Sequence, residues 1–262
     1  MLILEEALAM VRLQAVIFDL GGTLVSTPAG DEEAKRSWEL SYQALSARYP
    51  GAGWPDCEAY VRAMSEAENA HWQRVRHEQR SSSPEDLLGD GFRRLGCQVE
   101  EEELLAALDG YAQAAAEWVA TPFPDAHETL RALRQEGYRL GLLSNTWWAA
   151  AWHNAHLATH RLDDLLDVTV YTSDLPYSKP HPSAFLEVVT RLGVEPEACV
   201  MVGDMMIDDI SGALGLGMRA VWKYNERWPR PAPIVPTATI THLKDLPSLL
   251  RQWQEELEAS SG

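Results

Sequence analysis

The sequence predicts an α/β protein: a doubly wound, mostly parallel sheet with an all-α domain inserted after the first strand. Two observations carry this prediction. Short apolar runs alternate with helical segments along most of the chain, which is typical of a parallel sheet covered by helices. Between the first and second apolar runs, residues 31–118 contain helix-like segments and no convincing strand. A block of that length is an inserted domain rather than a loop.

The predicted strands are short and mostly aliphatic. The first, residues 14–18 (QAVIF), leads into Asp19 and two glycines, as a buried strand does where it enters a loop. The other strands are similar apolar runs, at residues 139–143, 168–171, 199–202, 219–222 and, more weakly, 238–240. The helices expected between them cover residues 125–135, 181–192 and 207–216.

The inserted block contains helix signals of its own. Ser82-Ser83-Pro84-Glu85 is typical of a helix N-terminus, and residues 100–118 form a further predicted helix. We therefore divide the chain into an α/β core, a helical cap domain and an N-terminal extension. The predicted limits are 12–27 with 119–262 for the core, 28–118 for the cap and 1–11 for the extension. The crossings near Thr27-Pro28 and Thr121-Pro122 are where we expect a hinge.

Charge and cysteine content argue against several classes of function. The chain has 22 Lys and Arg against 39 Asp and Glu, a formal net charge of −17. Nucleic acids and anionic membranes are bound by clustered basic residues, so we expect neither as a partner. Three separated cysteines without C-x-x-C spacing, an acidic N-terminus and no membrane-length apolar run predict a cytoplasmic protein with reduced thiols. The oligomeric state is not predicted.

Polar residues follow four of the predicted strands. Asp19-Leu20-Gly21-Gly22-Thr23 follows the first strand, and Ser144 and Asn145 follow the second. Lys179 lies just beyond the third, and Gly203-Asp204 begins a segment that reaches Asp209 after the fourth. The carboxyl ends of parallel strands meet at one edge of the sheet, so we expect these side chains to form one site.

At these residues the chain resembles the haloacid dehalogenase superfamily of hydrolases, most of which are phosphatases with a Rossmann-like core. The family's motifs are Asp-x-Asp-x-Thr, Ser or Thr, Lys, and Gly-Asp-x-x-x-x-Asp. All four occur here in the expected order, over residues 15–222, and the inserted block is similar to the family's helical cap. Each motif alone is weak, because an Asp after a strand is more often a turn or helix cap. The occurrence of all four motifs in the expected order is specific for the family.

The residue charges independently predict a divalent cation. Asp19, Asp204 and Asp209 against Lys179 sum to a formal charge of −2. A phosphate monoester is a dianion, and its entry into a partly desolvated cleft of that charge requires a counter-ion. Mg²⁺ suits a site made of a few carboxylates, a carbonyl and waters, so we expect Mg²⁺ as the cofactor.

The resemblance implies a role for each site residue. Asp19 is the expected nucleophile, forming an aspartyl-phosphate that water hydrolyses. Asp19 and Asp204 are expected to bind the metal directly, Asp209 directly or through water, and Gly21 through its backbone carbonyl. Four residues are expected on the substrate side: Thr23, Ser144, Asn145 and Lys179. Of these, Lys179 and the Ser144 hydroxyl would hold phosphoryl oxygens, and Thr23 would pin the loop behind Asp19.

Gly21 departs from the family pattern. The family's phosphatases carry a second Asp there, which protonates the leaving oxygen and later activates the water, and its loss costs about 10²–10⁴ in rate. Gly21 therefore predicts a phosphatase of a small phosphorylated metabolite that is slow, limited to good leaving groups, or assisted by an acid from the cap. Two alternatives stay open. The first is a dehalogenase of the metal-independent branch, which also lacks this Asp but has no use for the crowded acids. The second is a binding protein that retains the site without turnover.

Some residues near the motifs have a structural as well as a functional interpretation. His153, His156 and His160 share one helix face, where a surface or interface stripe is favoured over a zinc site. Trp147 and Trp148 are expected to pack in a core. They also border the cleft, where they could line a pocket for an organic leaving group. His181 is expected to begin a helix and is otherwise a candidate replacement acid.

Overall fold

The computed structural model describes residues 12–26, 31–117, 120–226 and 233–259. Within these ranges, eight strands form two sheets. The strands, in chain order, are β1 (Ala15–Phe18), β2 (Val25–Ser26), β3 (Thr121–Pro122), β4 (Arg139–Ser144), β5 (Val168–Tyr171), β6 (Cys199–Gly203), β7 (Arg219–Lys223) and β8 (Ala238–Ile240). Six of them form a parallel sheet in the order β5-β4-β1-β6-β7-β8, while β2 and β3 pair antiparallel. The predicted α/β fold with its parallel sheet is confirmed.

The two faces of the sheet pack against different cores. Val16 and Phe18 of β1 point into one buried apolar cluster, and Ala15 and Ile17 point into the other. A strand buried on both faces needs apolar residues at every position, because successive side chains alternate between faces. This explains why β1 appears in the sequence as a continuous apolar run.

The described residues also contain nine α-helices. In chain order they are α1 (Asp31–Arg48), α2 (Cys57–Glu78), α3 (Pro84–Arg94), α4 (Glu101–Glu117), α5 (Ala126–Gln135), α6 (Ala150–Thr159), α7 (Pro182–Leu192), α8 (Gly212–Leu214) and α9 (Leu246–Ala259). The helix expected over residues 207–216 is instead a π-helical turn, Met206–Ser211, that runs into α8. In this turn, the Asp209 carboxylate accepts the Met205 backbone N–H at 2.9 Å.

Helices α1 to α4 form a separate bundle over the carboxyl edge of the sheet. Their apolar faces make an aromatic-rich core of their own, which includes Trp38, Tyr60, Phe92 and Tyr111. Ser83 caps α3 in a capping box with Asp86, as the sequence pattern at residues 82–85 predicts. The bundle occupies the predicted cap segment, although the domain limits themselves stay predictions.

The chain returns from the bundle to the sheet at the β2–β3 ribbon. The expected crossing at Thr121-Pro122 is strand β3, paired with Val25 and Ser26. Thr27, Pro28 and the extension 1–11 lie outside the described residues. Among the described helices, none has the length and apolarity to cross a membrane.

Candidate active site

The predicted motif residues meet at the carboxyl edge of the parallel sheet. Asp19 directly follows β1, and its backbone N–H donates to the carbonyl of Val202 at 2.9 Å. Ser144 is the last residue of β4, and Asp204 follows β6. β1 lies between β4 and β6, so the three strand ends are neighbours. Asp19, Ser144 and Asp204 are buried and line one cavity.

Lys179 connects the acids of this site. Its ammonium donates to Asp19 Oδ1 at 2.8 Å, to Asp209 Oδ1 at 2.7 Å and to the carbonyl of Leu143 at 2.8 Å. The residue is 1% exposed. Burial by itself lowers the pKa of Lys179, but the carboxylates of Asp19 and Asp209 outweigh it, and the net pKa is raised. Lys179 is therefore a permanently charged group with all three protons in use.

Asn145 fixes the backbone of Lys179. Its Oδ1 accepts the backbone N–H of Lys179 at 2.8 Å, and its Nδ2 donates to the Lys179 carbonyl at 3.0 Å. The same Nδ2 lies 3.4 Å from Asp208 Oδ2. Asn145 also lines the cavity, and its contact with a substrate stays a prediction.

The three predicted acids form one buried cluster. One oxygen from each of Asp19, Asp204 and Asp209 lies within 4.8 Å of the others, the only such group of metal-ligating side chains among the described residues. Asp204 Oδ2 accepts a hydrogen bond from Asn225 Nδ2 at 2.7 Å, while Asp204 Oδ1 is buried without a donor. Burial first, and then repulsion from the neighbouring acids, raise the pKa of Asp204 and of Asp209. A cation bound beside Asp204 Oδ1 would pair with this oxygen and would reduce the repulsion between the acids.

The cluster fits a hard divalent cation. It offers carboxylate oxygens and the Gly21 backbone at one edge of the cavity, the donor type that Mg²⁺ prefers. Asp19 and Asp204 fit best as ligands. Both Asp209 oxygens already accept hydrogen bonds, from Lys179 and from the Met205 backbone, so Asp209 is better suited to hold Lys179.

Two glycines make room for the carboxylates. Gly22 has φ +82°, and a Cβ there would lie 2.2 Å from Asp204 Oδ2. A Cβ on Gly203 would lie 2.2 Å from the Asp209 carboxyl carbon. The acids can approach one another this closely only because these two positions carry no side chain.

Gly21 and Thr23 differ in their relation to the cavity. Gly21 lines it beside Asp19 and brings no acid, as the sequence indicates. Thr23 is completely buried behind the loop, and its hydroxyl has no hydrogen-bond partner among the described residues. The predicted substrate-side role of Thr23 stays a prediction, and in this structure its side chain holds the loop by packing rather than by a hydrogen bond.

Two polar residues of the site follow β7 and are missed by the motif analysis. Asn225 holds Asp204, as described above. The buried Lys223 donates to the carbonyl of Gly22 at 3.0 Å and lies 3.6 Å from the centroid of the Phe123 ring. Burial lowers the pKa of Lys223, and Asp204 only partly offsets this effect. The position of both residues at the carboxyl end of a parallel strand is a signal that could have identified them.

The cavity continues from the acids into the helical bundle and measures about 1220 Å³. Its cap side is lined by Glu68 of α2, Tyr111 of α4 and Trp147, among others. The bundle also contacts the segment that precedes Lys179. The Ser81 N–H donates to the carbonyl of Pro176 at 3.2 Å, and the Ser178 N–H donates to the carbonyl of Gln79 at 2.8 Å.

The histidines near the motifs serve structural contacts. His156 Nε2 donates to the carbonyl of Ala115 in α4 at 2.7 Å, and His153 Nε2 lies 2.9 Å from the Thr146 hydroxyl. With His160 they line the cavity but form no metal-binding group among the described side chains, so the interface interpretation fits them. His181 caps α7 by accepting the Ser183 N–H, and it stacks on Tyr177.

Trp147 combines the two roles considered for it. It is 1% exposed and stacks on Trp38 with centroids 5.6 Å apart, so it belongs to the bundle's core. It also lines the cavity together with Trp148. The tryptophans that follow Ser144 and Asn145 thus form the boundary between the charged edge of the sheet and the cap.

Known proteins similar to this chain fall into two groups. The family described as haloacid dehalogenase-like hydrolase matches residues 13–217. The glyceraldehyde 3-phosphate phosphatase of Methanopyrus kandleri is 31% identical over 92% of this chain and 98% of that protein. A HAD phosphatase structure from Thermococcus onnurineus is 29% identical, with a TM-score of 0.57 over 90% of this chain and 97% of the other. A 2-haloacid dehalogenase structure from Pseudomonas syringae is 26% identical, with a TM-score of 0.67 over 92% of this chain and 99% of the other.

Proposed function

The chain belongs to the haloacid dehalogenase-like hydrolases, and from that premise we propose that it is a Mg²⁺-dependent phosphatase of a small phosphorylated metabolite. One observation carries the proposal: Asp19 is held by a buried, charged lysine beside a carboxylate oxygen of Asp204 that is buried without a partner. The arrangement provides a fixed nucleophile and a position for a cation within one cavity. The similarity to phosphatases along the whole chain supports the same reaction class.

The reaction proceeds in two steps on Asp19. A carboxylate oxygen of Asp19 attacks phosphorus, the bond from phosphorus to the leaving oxygen breaks, and the leaving group departs with that electron pair. Water then attacks the phosphorus of the aspartyl-phosphate, which releases inorganic phosphate and restores the carboxylate. Lys179 orients Asp19, and Lys179 and Ser144 line the part of the cavity where the phosphoryl oxygens would lie.

Asp19, Asp204 and the Gly21 carbonyl would hold the metal, with Asp209 supporting Lys179 beside them. When bound, Mg²⁺ supplies positive charge that offsets the repulsion between the carboxylates and the phosphate dianion. The other groups act without it: Asn145 fixes the Lys179 backbone, Asn225 orients Asp204, and Gly22 and Gly203 keep the space that the acids occupy.

Gly21 limits the leaving groups. No side chain at this position can protonate the departing oxygen, so the reaction favours acyl and aryl phosphates, whose leaving groups need little protonation. Turnover of alkyl phosphates depends on water or on an acid elsewhere in the cavity. Asp208, which lines the cavity next to Asn145, is a carboxyl group that could supply this proton.

A metal-independent dehalogenase is the second candidate. The structural similarity to a 2-haloacid dehalogenase and the absent acid at position 21 favour it. The buried cluster of Asp19, Asp204 and Asp209 weighs against it, because attack on carbon needs no cation and the raised pKa of Asp204 and Asp209 would then be left uncompensated.

A binding protein without turnover is the third candidate. Such a protein would bind phosphate analogues and would show no turnover that depends on Asp19.

The test is a substrate panel assayed with Mg²⁺ and with EDTA. We expect the purified protein to release phosphate from acetyl phosphate and p-nitrophenyl phosphate only with Mg²⁺, and the variant Asp19→Asn to be inactive. Asp174→Asn, an exposed acid of the core, is the matched control. Halide release from 2-chloropropionate in EDTA would instead establish the dehalogenase, and Asp19-independent turnover would exclude both enzymes.

A further inference from the structure

The cap side of the cavity contains a carboxylate held only by neutral groups. Glu68 Oε1 accepts the Trp147 indole N–H at 3.1 Å, and Oε2 accepts the Trp38 indole N–H at 3.2 Å. Burial raises the pKa of Glu68, and these indole N–H groups counteract the rise without supplying positive charge. Among the described residues, no basic side chain forms an ion pair with Glu68.

Two basic side chains of the cap line the cavity. Lys35 lies 3.9 Å from Glu39, its ion-pair partner. Arg76 is exposed, and its charge lowers the pKa of Asp208 against the larger effect of burial. Since neither forms an ion pair with Glu68 among the described residues, a positively charged ligand could compensate the ionised carboxylate.

Aromatic rings surround the cavity beside Glu68. Tyr111 and Trp147 have centroids 4.9 Å apart at an interplanar angle of 62°, and Trp147 and Trp148 are 6.5 Å apart at 82°. Tyr111 and Trp148 are 6.0 Å apart at 80°. The rings thus form walls at steep angles to one another, and all three line the cavity. We call this group, with Trp72, the aromatic box.

Walls of this kind attract an organic cation. A quaternary or protonated amine is drawn to the faces of several aromatic rings, and more strongly where water is excluded. A carboxylate at the base of the box adds direct charge attraction. A neutral sugar or alkyl group would use the apolar walls but would leave Glu68 uncompensated.

We propose that Glu68 and the aromatic box select a cationic leaving group, so that the substrate is the phosphate monoester of an amino alcohol. This inference rests on the proposed phosphatase function and adds the substrate class. The leaving group is an alkoxide, so turnover of such an ester also depends on its protonation by water or by an acid elsewhere in the cavity, as stated above for alkyl phosphates. The ester's phosphate would occupy the Asp19–Lys179 end of the cavity and its ammonium the Glu68 end. The zwitterion carries one negative charge less than a sugar phosphate, which reduces its repulsion by a protein of net charge −17.

The test compares two substrates of equal shape. Choline phosphate and 3,3-dimethylbutyl phosphate differ only by nitrogen in place of carbon, and hence by one positive charge. We expect kcat/KM for choline phosphate to be about tenfold higher, and the ratio to fall below about threefold in Glu68→Gln, which removes the charge and keeps one of the two acceptor oxygens. Glu66→Gln, exposed on the same helix, is the matched control and should keep the native ratio. The rate with p-nitrophenyl phosphate should be similar in the native protein and in Glu66→Gln.

Equal rates for the two substrates, or the same preference in Glu68→Gln, would overturn the inference while leaving the phosphatase intact. Absence of turnover with every phosphate ester would overturn the proposed function instead. In that case the box is tested by binding alone. Choline should quench tryptophan fluorescence at concentrations about tenfold lower than 3,3-dimethylbutanol, and this difference should disappear in Glu68→Gln. Equal quenching by the two alcohols would exclude a cation site.

Discussion

The two ends of the cavity manage buried negative charge in opposite ways. At the sheet edge, the ammonium of Lys179 contacts the carboxylates of Asp19 and Asp209, and glycines let the acids of the site approach one another. At the cap end, Glu68 is held by indole N–H groups that carry no charge. At the sheet edge, Lys179 therefore compensates part of the negative charge of the acids. At the cap end, all of the positive charge that would compensate Glu68 has to come from a ligand. The difference separates a site that performs chemistry from one that selects a substrate.

Removal of the buried cation should have the largest effect. In Lys179→Met, the carboxylates of Asp19 and Asp209 lose the one ion-pair partner that they have among the described residues. We therefore expect the free energy of unfolding to fall by about 3–5 kcal/mol at neutral pH without metal. Activity should fall by about 10³-fold or more, because the nucleophile loses its fixed position. Urea unfolding and steady-state kinetics measure the two effects.

Lys223→Met is the matched control for that substitution. Lys223 is also buried, but it bonds a backbone carbonyl and its pKa is lowered by burial, so a neutral side chain should cost less stability there. An equal loss of stability in the two variants would mean that the Lys179–carboxylate contacts contribute no more than the packing of a long side chain.

Restoring an acid at position 21 should raise the rate with poor leaving groups. We expect Gly21→Asp to increase kcat for alkyl phosphates by about 10²-fold, since general acid catalysis contributes at least that much. Hydrolysis of acetyl phosphate should change little. Gly22→Asp is the control, because a Cβ there meets Asp204 and we expect loss of activity with every substrate. An equal gain with acyl and alkyl phosphates would contradict this account of Gly21.

Magnesium should stabilise the sheet-edge site. A ligand present at 100 times its Kd stabilises the native state by about 2.7 kcal/mol, which corresponds to a rise in Tm of several degrees for a protein of this size. We expect this rise for the native protein in differential scanning calorimetry and its loss in Asp204→Asn. Glu68→Gln should keep it, since Glu68 lies at the other end of the cavity.

The cap should lose stability in mild acid. His71 of α2 is completely buried, neither ring nitrogen has a hydrogen-bond partner among the described residues, and burial lowers its pKa to about 4. The unfolded chain takes up a proton near pH 6.5, so the free energy of unfolding falls as the pH drops from 6.5 towards 4, by up to about 1.4 kcal/mol per pH unit.

The variant His71→Leu removes that proton uptake. Between pH 6.5 and 5.5, the free energy of unfolding of this variant should fall by about 1 kcal/mol less than that of the native protein. Urea unfolding at the two pH values measures the difference. His77→Leu, an exposed histidine on the same helix, should retain the native pH dependence. Parallel curves for the native protein and His71→Leu would show that His71 titrates normally.

The motif residues of the sheet edge could be predicted because each lies within a few residues of an apolar strand. Parallel strands place their carboxyl ends together, so Asp19, Ser144 and Asp204 converge wherever such a sheet forms. The predicted substrate contacts of Asn145 and Thr23 stay predictions, because the short-range pattern gives the position of these residues and not their hydrogen-bond partners. The amide of Asn145 is occupied by the backbone of Lys179, which is 34 residues away in the chain.

The sequence by itself determined the parallel sheet, its inserted helices and the four acidic and basic positions at the sheet edge, because strand periodicity and motif spacing are local properties. Only the tertiary structure decided that Glu68 faces the cavity and that Trp38 and Trp147 donate hydrogen bonds to it. These residues come from two helices of the cap and a loop of the core, and no spacing relates them. Their contact arises from how the bundle packs over the sheet.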